Sequence, residues 1–116
     1  MQTSTVSNEV VTNAVEWAPF IKMKEVSDQQ LIAAADVVNL VFLSKQPGFI
    51  KRELIKKNDT EYADVIHWSS KKEAEIAGHK VFDCLECKSY FGLMDMDESL
   101  AAGAGFSHYD ILKQWG

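Results

Sequence analysis

The segment Glu61–Trp68, EYADVIHW, gathers the residue types needed for proton transfer on an aromatic compound. If it is extended, successive side chains point to opposite faces. Tyr62, Asp64, Ile66 and Trp68 then share one side, and Ala63, Val65 and His67 share the other. A partly buried Asp64 could take a proton from a phenol. Trp68 could stack on a flat ring, because an indole presents a large, rigid apolar surface. Tyr62 would line the same wall and contact the substrate. His67 would be the general base only if its own side lined the pocket; otherwise it is a hydrogen-bonded interface histidine. His108 lies on the last expected strand. Two strand spacings, roughly 10 Å, would let the two imidazoles flank a ligand without bonding each other. Arg52, on the strand before, could bind an anionic group of the substrate.

Each candidate also has a plain structural role. Trp68 suits a core, Asp64 could be satisfied by Arg52 or a neighbouring lysine, and His79 reads as a solvated helix residue. Cys84 and Cys87 form a C-x-x-C pair, but Asp83 and Glu86 surround it and disfavour a low-pKa redox thiol. No second cysteine pair exists to complete a zinc site. Two small helix residues, one or both buried, are therefore expected there. No Gly-rich phosphate loop, nucleophile elbow or H-E-x-x-H motif is present, so neither a metal nor another cofactor is implied.

These residues need elements to position them. The chain of 116 residues suits one domain, spanning 10–116 after a small polar tail over 1–9. A net charge of −5 with interspersed signs and no basic patch disfavours nucleic-acid binding. No apolar run reaches membrane-spanning length. The N-terminal MQTSTVSNEV lacks a basic region followed by an apolar one, as a signal peptide requires, and a cytoplasmic protein is expected.

A first strand is expected from about Ala14 to Val26, irregular at Pro19. Ser27 and Gln30 form a capping box for a helix that ends at Pro47-Gly48. Leu31, Ala34, Ala35, Val38, Val41 and Phe42 share its apolar face, which Ile32, Val37, Leu40 and Leu43 widen. Strands Phe49–Lys56 and Glu61–Trp68 follow, joined by a turn over Lys57–Thr60. Ser70 and Glu73 open a second helix running to about Phe82, and a short helix covers about Leu85–Gly92. The acidic, Gly/Ala-rich stretch Met94–Gly105 reads as a mobile loop, and Phe106–Trp115 as the last strand.

The order βαββαβ is the ferredoxin-like α+β arrangement, a four-stranded antiparallel sheet in order 4-1-3-2 with both main helices on one face. Neither face of the expected strands is cleanly polar. The economical explanation is a homodimer in which two such sheets face each other and make a dimeric α+β barrel.

The architecture, the segment QPGFIKREL, the strand DVIHW before a capped helix, and the later DCLECKSYF resemble the antibiotic biosynthesis monooxygenase-like branch of the dimeric α+β barrel proteins. The resemblance runs from about Ala14 to Trp115. It implies a pocket between sheet and helices and, in one group of members, cofactor-independent oxidation of aromatic or quinol-type substrates. In the quinone-forming members a tryptophan on the third strand lines that pocket, with a polar residue four positions earlier. Trp68 and Asp64 take those places, with Asp standing where an Asn would complete the likeness. The haem-degrading members use an Asn–Trp–His set whose last two positions fall near Ala77 and Cys87 here, which argues against haem degradation. The expected function is thus a small cofactor-independent monooxygenase-like enzyme using Asp64 or a histidine as base. The alternatives are a dimeric binding or interaction module without chemistry, or an isomerase or lyase using the same base.

Overall fold

The computed structural model describes residues 12–103 and 105–116; the tail expected over 1–9 lies outside the described residues. Four strands, β1 (Ala14–Ile21), β2 (Phe49–Lys56), β3 (Glu61–Trp68) and β4 (Ser107–Asp110), form one antiparallel sheet in the order β2-β3-β1-β4. This is the ferredoxin-like order expected from the sequence. Helices α1 (Asp28–Val41), α2 (Lys71–Lys80), α3 (Leu85–Phe91) and α4 (Met96–Ala101) complete the chain. Among the described residues no helix is long and apolar enough to cross a membrane.

The strand alternation decides which side is covered. On β1, Ala14, Glu16, Ala18 and Phe20 are buried; on β3, Tyr62, Asp64, Ile66 and Trp68 are. These even-numbered residues face the helices, and Leu31, Ala35 and Val38 of α1, Ala74 and Ala77 of α2, and Cys87 and Tyr90 of α3 pack among them. Ile32, Val37 and Leu40 of α1 fall outside that contact and stay exposed.

The helices begin where the sequence signals. Ser27 accepts from the Gln30 N–H while the Gln30 side chain accepts from the Ser27 N–H, a closed capping box. Ser70 accepts from the Glu73 N–H, but the Glu73 carboxylate turns to the Ser69 and Ser70 hydroxyls rather than to the cap's own N–H. In the β2–β3 turn the Asn58 side chain accepts from the backbone N–H groups of Thr60 and Glu61, at 3.0 and 2.9 Å.

Four expectations are corrected. Pro19 causes no irregularity: β1 pairs with β3 in continuous register, and the one register shift lies at Phe49/Lys51 on β2. The reason is the direction of the missing N–H. The Ile21 N–H, which points the same way, leaves the sheet to reach Ser99 Oγ, and β4 pairs only as far as Trp17. At Pro19, β1 is an edge on that side, where proline is tolerated. Second, β1 ends at Ile21 rather than Val26, because its continuation turns to the segment after α3, with the Met23 N–H on the Leu93 carbonyl and a bridge from Lys22 to Met94. Third, the expected loop over Met94–Gly105 contains α4, capped by Asp95, whose side chain accepts from the Glu98 N–H. Fourth, β4 spans only Ser107–Asp110. The Ile111 N–H makes a last bond to the Asn13 carbonyl, and beyond it Leu112 and Trp115 are exposed.

Gly48 sets the angle at which β2 leaves the α1 region. Its φ is +84°, and a Cβ there would overlap the Glu73 carboxyl and lie 2.8 Å from Ser69 Oγ. Gly48→Ala should destabilise the fold by more than the roughly 1–2 kcal/mol of left-handed backbone strain alone, because it also displaces the α2 cap. Equilibrium urea unfolding would measure this; a loss under about 0.5 kcal/mol would contradict it.

Candidate functional site

The helix-facing side of the sheet carries an unusual load of ionisable groups. Because β1 and β3 present their even-numbered residues inward, Glu16, Asp64 and Trp68 enter the same layer as the apolar core. A buried charge must be paired, and here the pairing follows two separate schemes.

The first is a network around Asp64. Its Oδ1 accepts from Arg52 Nε at 2.8 Å and its Oδ2 from the Tyr90 hydroxyl at 2.8 Å. Arg52 also donates to the Ala35 carbonyl at 2.8 Å, and its guanidinium lies 5.3 Å from the centre of the Tyr90 ring. The Arg52 and Asp64 side chains are only 7% and 9% exposed. Burial opposes the Arg52 charge, but the Asp64 carboxylate outweighs it and holds the guanidinium proton more firmly than usual. Burial, and then the neighbouring carboxylate, push the Tyr90 hydroxyl well above the ordinary phenol range, so it stays a donor.

The second scheme is a pair that the sequence reading missed. Glu16, on β1, meets His108, its partner across β4, with Oε1 and Nε2 3.1 Å apart. Their side chains are 7% and 12% exposed. Burial raises the Glu16 carboxyl above its ordinary value, against the lowering effects of His108 and of the nearby Trp68 indole. The Trp68 N–H itself is buried without a hydrogen-bond partner among the described residues.

Between sheet and helices lies an inner cavity of about 50 Å³, lined by Glu16, Arg52, Asp64, Trp68 and Tyr90 together with apolar side chains. It adjoins a larger apolar compartment of about 220 Å³ walled by Phe82, Phe91, Met94, Met96, Leu100 and Phe106. Ala18, Asp64, Phe91 and Phe106 line both, so the two are one recess with a polar inner end and an aromatic mouth.

The structure brings Asp64, Trp68 and Arg52 to this recess and places His108 directly behind Glu16. Two candidates are elsewhere. Tyr62 is drawn to the start of α1, where its hydroxyl bonds Asp28 and its ring stacks on Phe20, with 5.9 Å between centroids. It lines neither compartment. His67 faces the opposite, uncovered side and bonds Glu53 at 3.1 Å. His67 and His108 therefore cannot flank one ligand, because strand alternation puts them on opposite faces. Cys84 caps α3, its sulfur accepting from the Cys87 N–H at 3.1 Å, and the Cys87 thiol, pushed upward mainly by burial, is an inert core group.

Glu16 and α4 left signals that could have been read. A glutamate between Val15 and Trp17 in an apolar strand marks an inward charge if Trp17 faces out, and Asp95 with Glu98 is a capping pair.

No family model matches the chain, and no curated protein matches its sequence. Solved structures do match. A point mutant of SnoaB, a cofactor-independent oxygenase from Streptomyces nogalater, superposes with a TM-score of 0.60 at 12% identity, covering 90% of this chain and 96% of that one. A monooxygenase from the ActVA-Orf6 gene of Streptomyces coelicolor, in complex with nanaomycin D, gives 0.61 at 13% identity, covering 90% of each. A dimeric ferredoxin-like protein from an uncultured marine organism gives 0.55 at 10% identity, covering 95% and 96%. The chain shares the ferredoxin-like fold of these structures. At these identities the likeness is one of architecture, and the chemistry must be argued from the recess.

Two outcomes follow from its electrostatics. Arg52→Met should destabilise by about 3–5 kcal/mol, since it strips a buried carboxylate of its cation. The double variant Arg52→Met with Asp64→Leu should be more stable than the sum of the single losses; additive losses in denaturant unfolding would contradict the buried pair. Glu16 supplies a pH dependence. Its folded-state value lies above the ordinary 4.5, so the native state binds more protons than the unfolded chain between 4.5 and that raised value. Stability from this group is therefore lost as pH rises through that window. The melting temperature of Glu16→Gln relative to the unaltered protein should rise from about pH 4 to about pH 8. A falling difference would mean that His108 stabilises the carboxylate more than burial opposes it.

Proposed function

We propose that this protein is a cofactor-independent monooxygenase-like enzyme acting on a small aromatic or quinol-type substrate. The observation that supports it is the recess itself, with an aromatic mouth, Trp68 in its wall, and carboxylates at its inner end. A dry cavity of roughly 150 Å³ can hold benzene, so the apolar compartment of about 220 Å³ suits one substituted ring. Removal of the phenolic proton gives an electron-rich anion. A ring carbon then bonds to oxygen to form a peroxide. Loss of that carbon's proton with cleavage of the O–O bond leaves a carbonyl and releases the second oxygen atom as water. The ring supplies all four electrons, so no external reductant is consumed. The protein's part is to take the first proton, hold the anion and exclude water.

The assembly belongs to the same reading. The uncovered side of the sheet carries Val15, Trp17, Pro19, Ile55, Val65 and Tyr109, more apolar surface than a solvated sheet face needs. A second copy covering this side would make a homodimeric barrel, and the dimeric ferredoxin-like neighbour supports that arrangement. A cytoplasmic setting fits the sequence. Trp17→Glu should shift the mass measured by light scattering from dimer to monomer; a monomeric unaltered protein would sink the dimer.

A second reading, a dimeric binding module without chemistry, draws on one observation: both Asp64 oxygens are already taken by Arg52 and Tyr90. Oxygen uptake with a panel of hydroquinones and anthrones separates the two readings. Uptake by the unaltered protein supports the enzyme. Binding without uptake across the panel favours the module.

A further inference from the structure

Trp68 Nε1 and Glu16 leave complementary hydrogen-bonding capacity at the same end of the recess. The indole N–H is a buried donor with no acceptor among the described residues. Glu16 Oε1 meets His108, while among the described residues Glu16 Oε2 makes no hydrogen bond. Buried polar groups in native proteins are almost always satisfied, so an orphan donor beside an under-used carboxylate calls for a partner. The indole N–H lies near enough to Glu16 to favour its charged form as a hydrogen-bond donor would, but outside the distance and angle of a formed hydrogen bond. One chemical group satisfies both at once: a hydroxyl, which accepts from the N–H and donates to the carboxylate.

The surroundings fit a hydroxyl carried on a ring. Glu16 and its inward neighbour Ala18 on β1 both line the inner cavity. Ala18 also lines the aromatic compartment, so a ring seated there has the polar end one strand step away, roughly 6–7 Å. Asp64 lines both compartments too, but its oxygens are committed to Arg52 and Tyr90. Taking a proton would cost it a buried ion pair. Glu16 bears no such cost, since its partner is an imidazole that can itself receive a proton.

We propose that Glu16, rather than Asp64, takes the proton of a phenolic ligand in this recess, with the Trp68 indole N–H holding the phenolate oxygen and His108 acting through Glu16 as the positioning residue. The O–H bond of the phenol breaks and the proton bonds to Glu16 Oε2. A half-turn of the carboxyl group then brings that same proton to His108 Nε2 across the 3.1 Å contact, leaving a phenolate, an ionised Glu16 and an imidazolium. The other ionisable groups around this end are Asp64, Arg52, Tyr90 and Cys87, and α2 contributes the uncharged Ala77 and Gly78. The inference rests on the reading of the recess as a site for a small hydroxylated ring, and it needs no oxygen.

Anaerobic titration with 4-nitrophenol, whose phenolate is coloured, and with 4-nitrotoluene, which replaces the hydroxyl by a methyl group, tests it. The unaltered protein should bind 4-nitrophenol as the phenolate below the pH at which the free compound ionises, and bind 4-nitrotoluene at least tenfold more weakly. Glu16→Gln, which keeps the side-chain shape, should lower the bound phenolate fraction at least tenfold. Trp68→Phe should weaken 4-nitrophenol at least tenfold while leaving 4-nitrotoluene unchanged, and it carries the test if Glu16→Gln does not fold. His108→Asn should move phenolate formation to higher pH, a shift that loss of packing alone would not produce. Glu53→Gln, altering the exposed Glu53–His67 pair on the opposite face, should behave as the unaltered protein. Equal binding of the two probes, or undiminished ionisation in Glu16→Gln, overturns the proposal. Ionisation without oxygen uptake on any substrate would overturn the oxygenase reading and leave this one standing.

Discussion

The ion pair between Arg52 and Asp64 ties together more of this molecule than any other contact. Asp64 sits on the central strand β3, and Arg52 on the edge strand β2 reaches back over it. The same guanidinium bonds a backbone carbonyl of α1, while the Tyr90 hydroxyl of α3 closes the other carboxylate oxygen. Two strands and two helices thus meet at one buried carboxylate. In a low-dielectric interior such a network is favourable only when every member is satisfied. Its completeness at Asp64 explains how a charged group can sit in the middle of a small core and still leave a recess beside it.

That arrangement shapes the recess as much as it stabilises the fold. Tyr90 and Arg52 fill the space above Asp64, which confines the inner compartment to about 50 Å³. The larger apolar compartment is displaced toward α4 and the approach to β4. The two acid–base systems are consequently separated by function. One is locked by its partners; the other, Glu16 with His108, keeps a carboxylate oxygen without a hydrogen bond among the described residues, at the end of the recess that the Trp68 indole also lines.

α4 has a comparable influence. Ser99 lies against the end of β1, where its hydroxyl accepts from the Ile21 N–H. That contact takes over the backbone direction that β4 would otherwise have paired. It shortens the sheet at this end, where Met96, Ser99 and Leu100 of α4 wall the apolar compartment.

Much of the architecture was legible in local chemistry. Ser27 with Gln30 and Ser70 with Glu73 mark the two main helix starts, and the alternation in EYADVIHW puts Asp64 and Trp68 on one face and His67 on the other. These features are set within a few residues, so the chain determines them by itself. What it could not determine was which face the helices would cover. Val15, Trp17, Phe20 and Ile21 make both sides of β1 look apolar, and the face holding Glu16 becomes the inner one only because helices, α2 among them, pack over it. The pairing of Glu16 with His108 joins residues far apart in the chain across two strands, and the departure of Tyr62 to Asp28 depends on where α1 docks. Strand registry and helix docking are long-range events. The residue types were therefore written in the sequence, and only the tertiary structure decided which carboxylate would be locked and which left free at the recess.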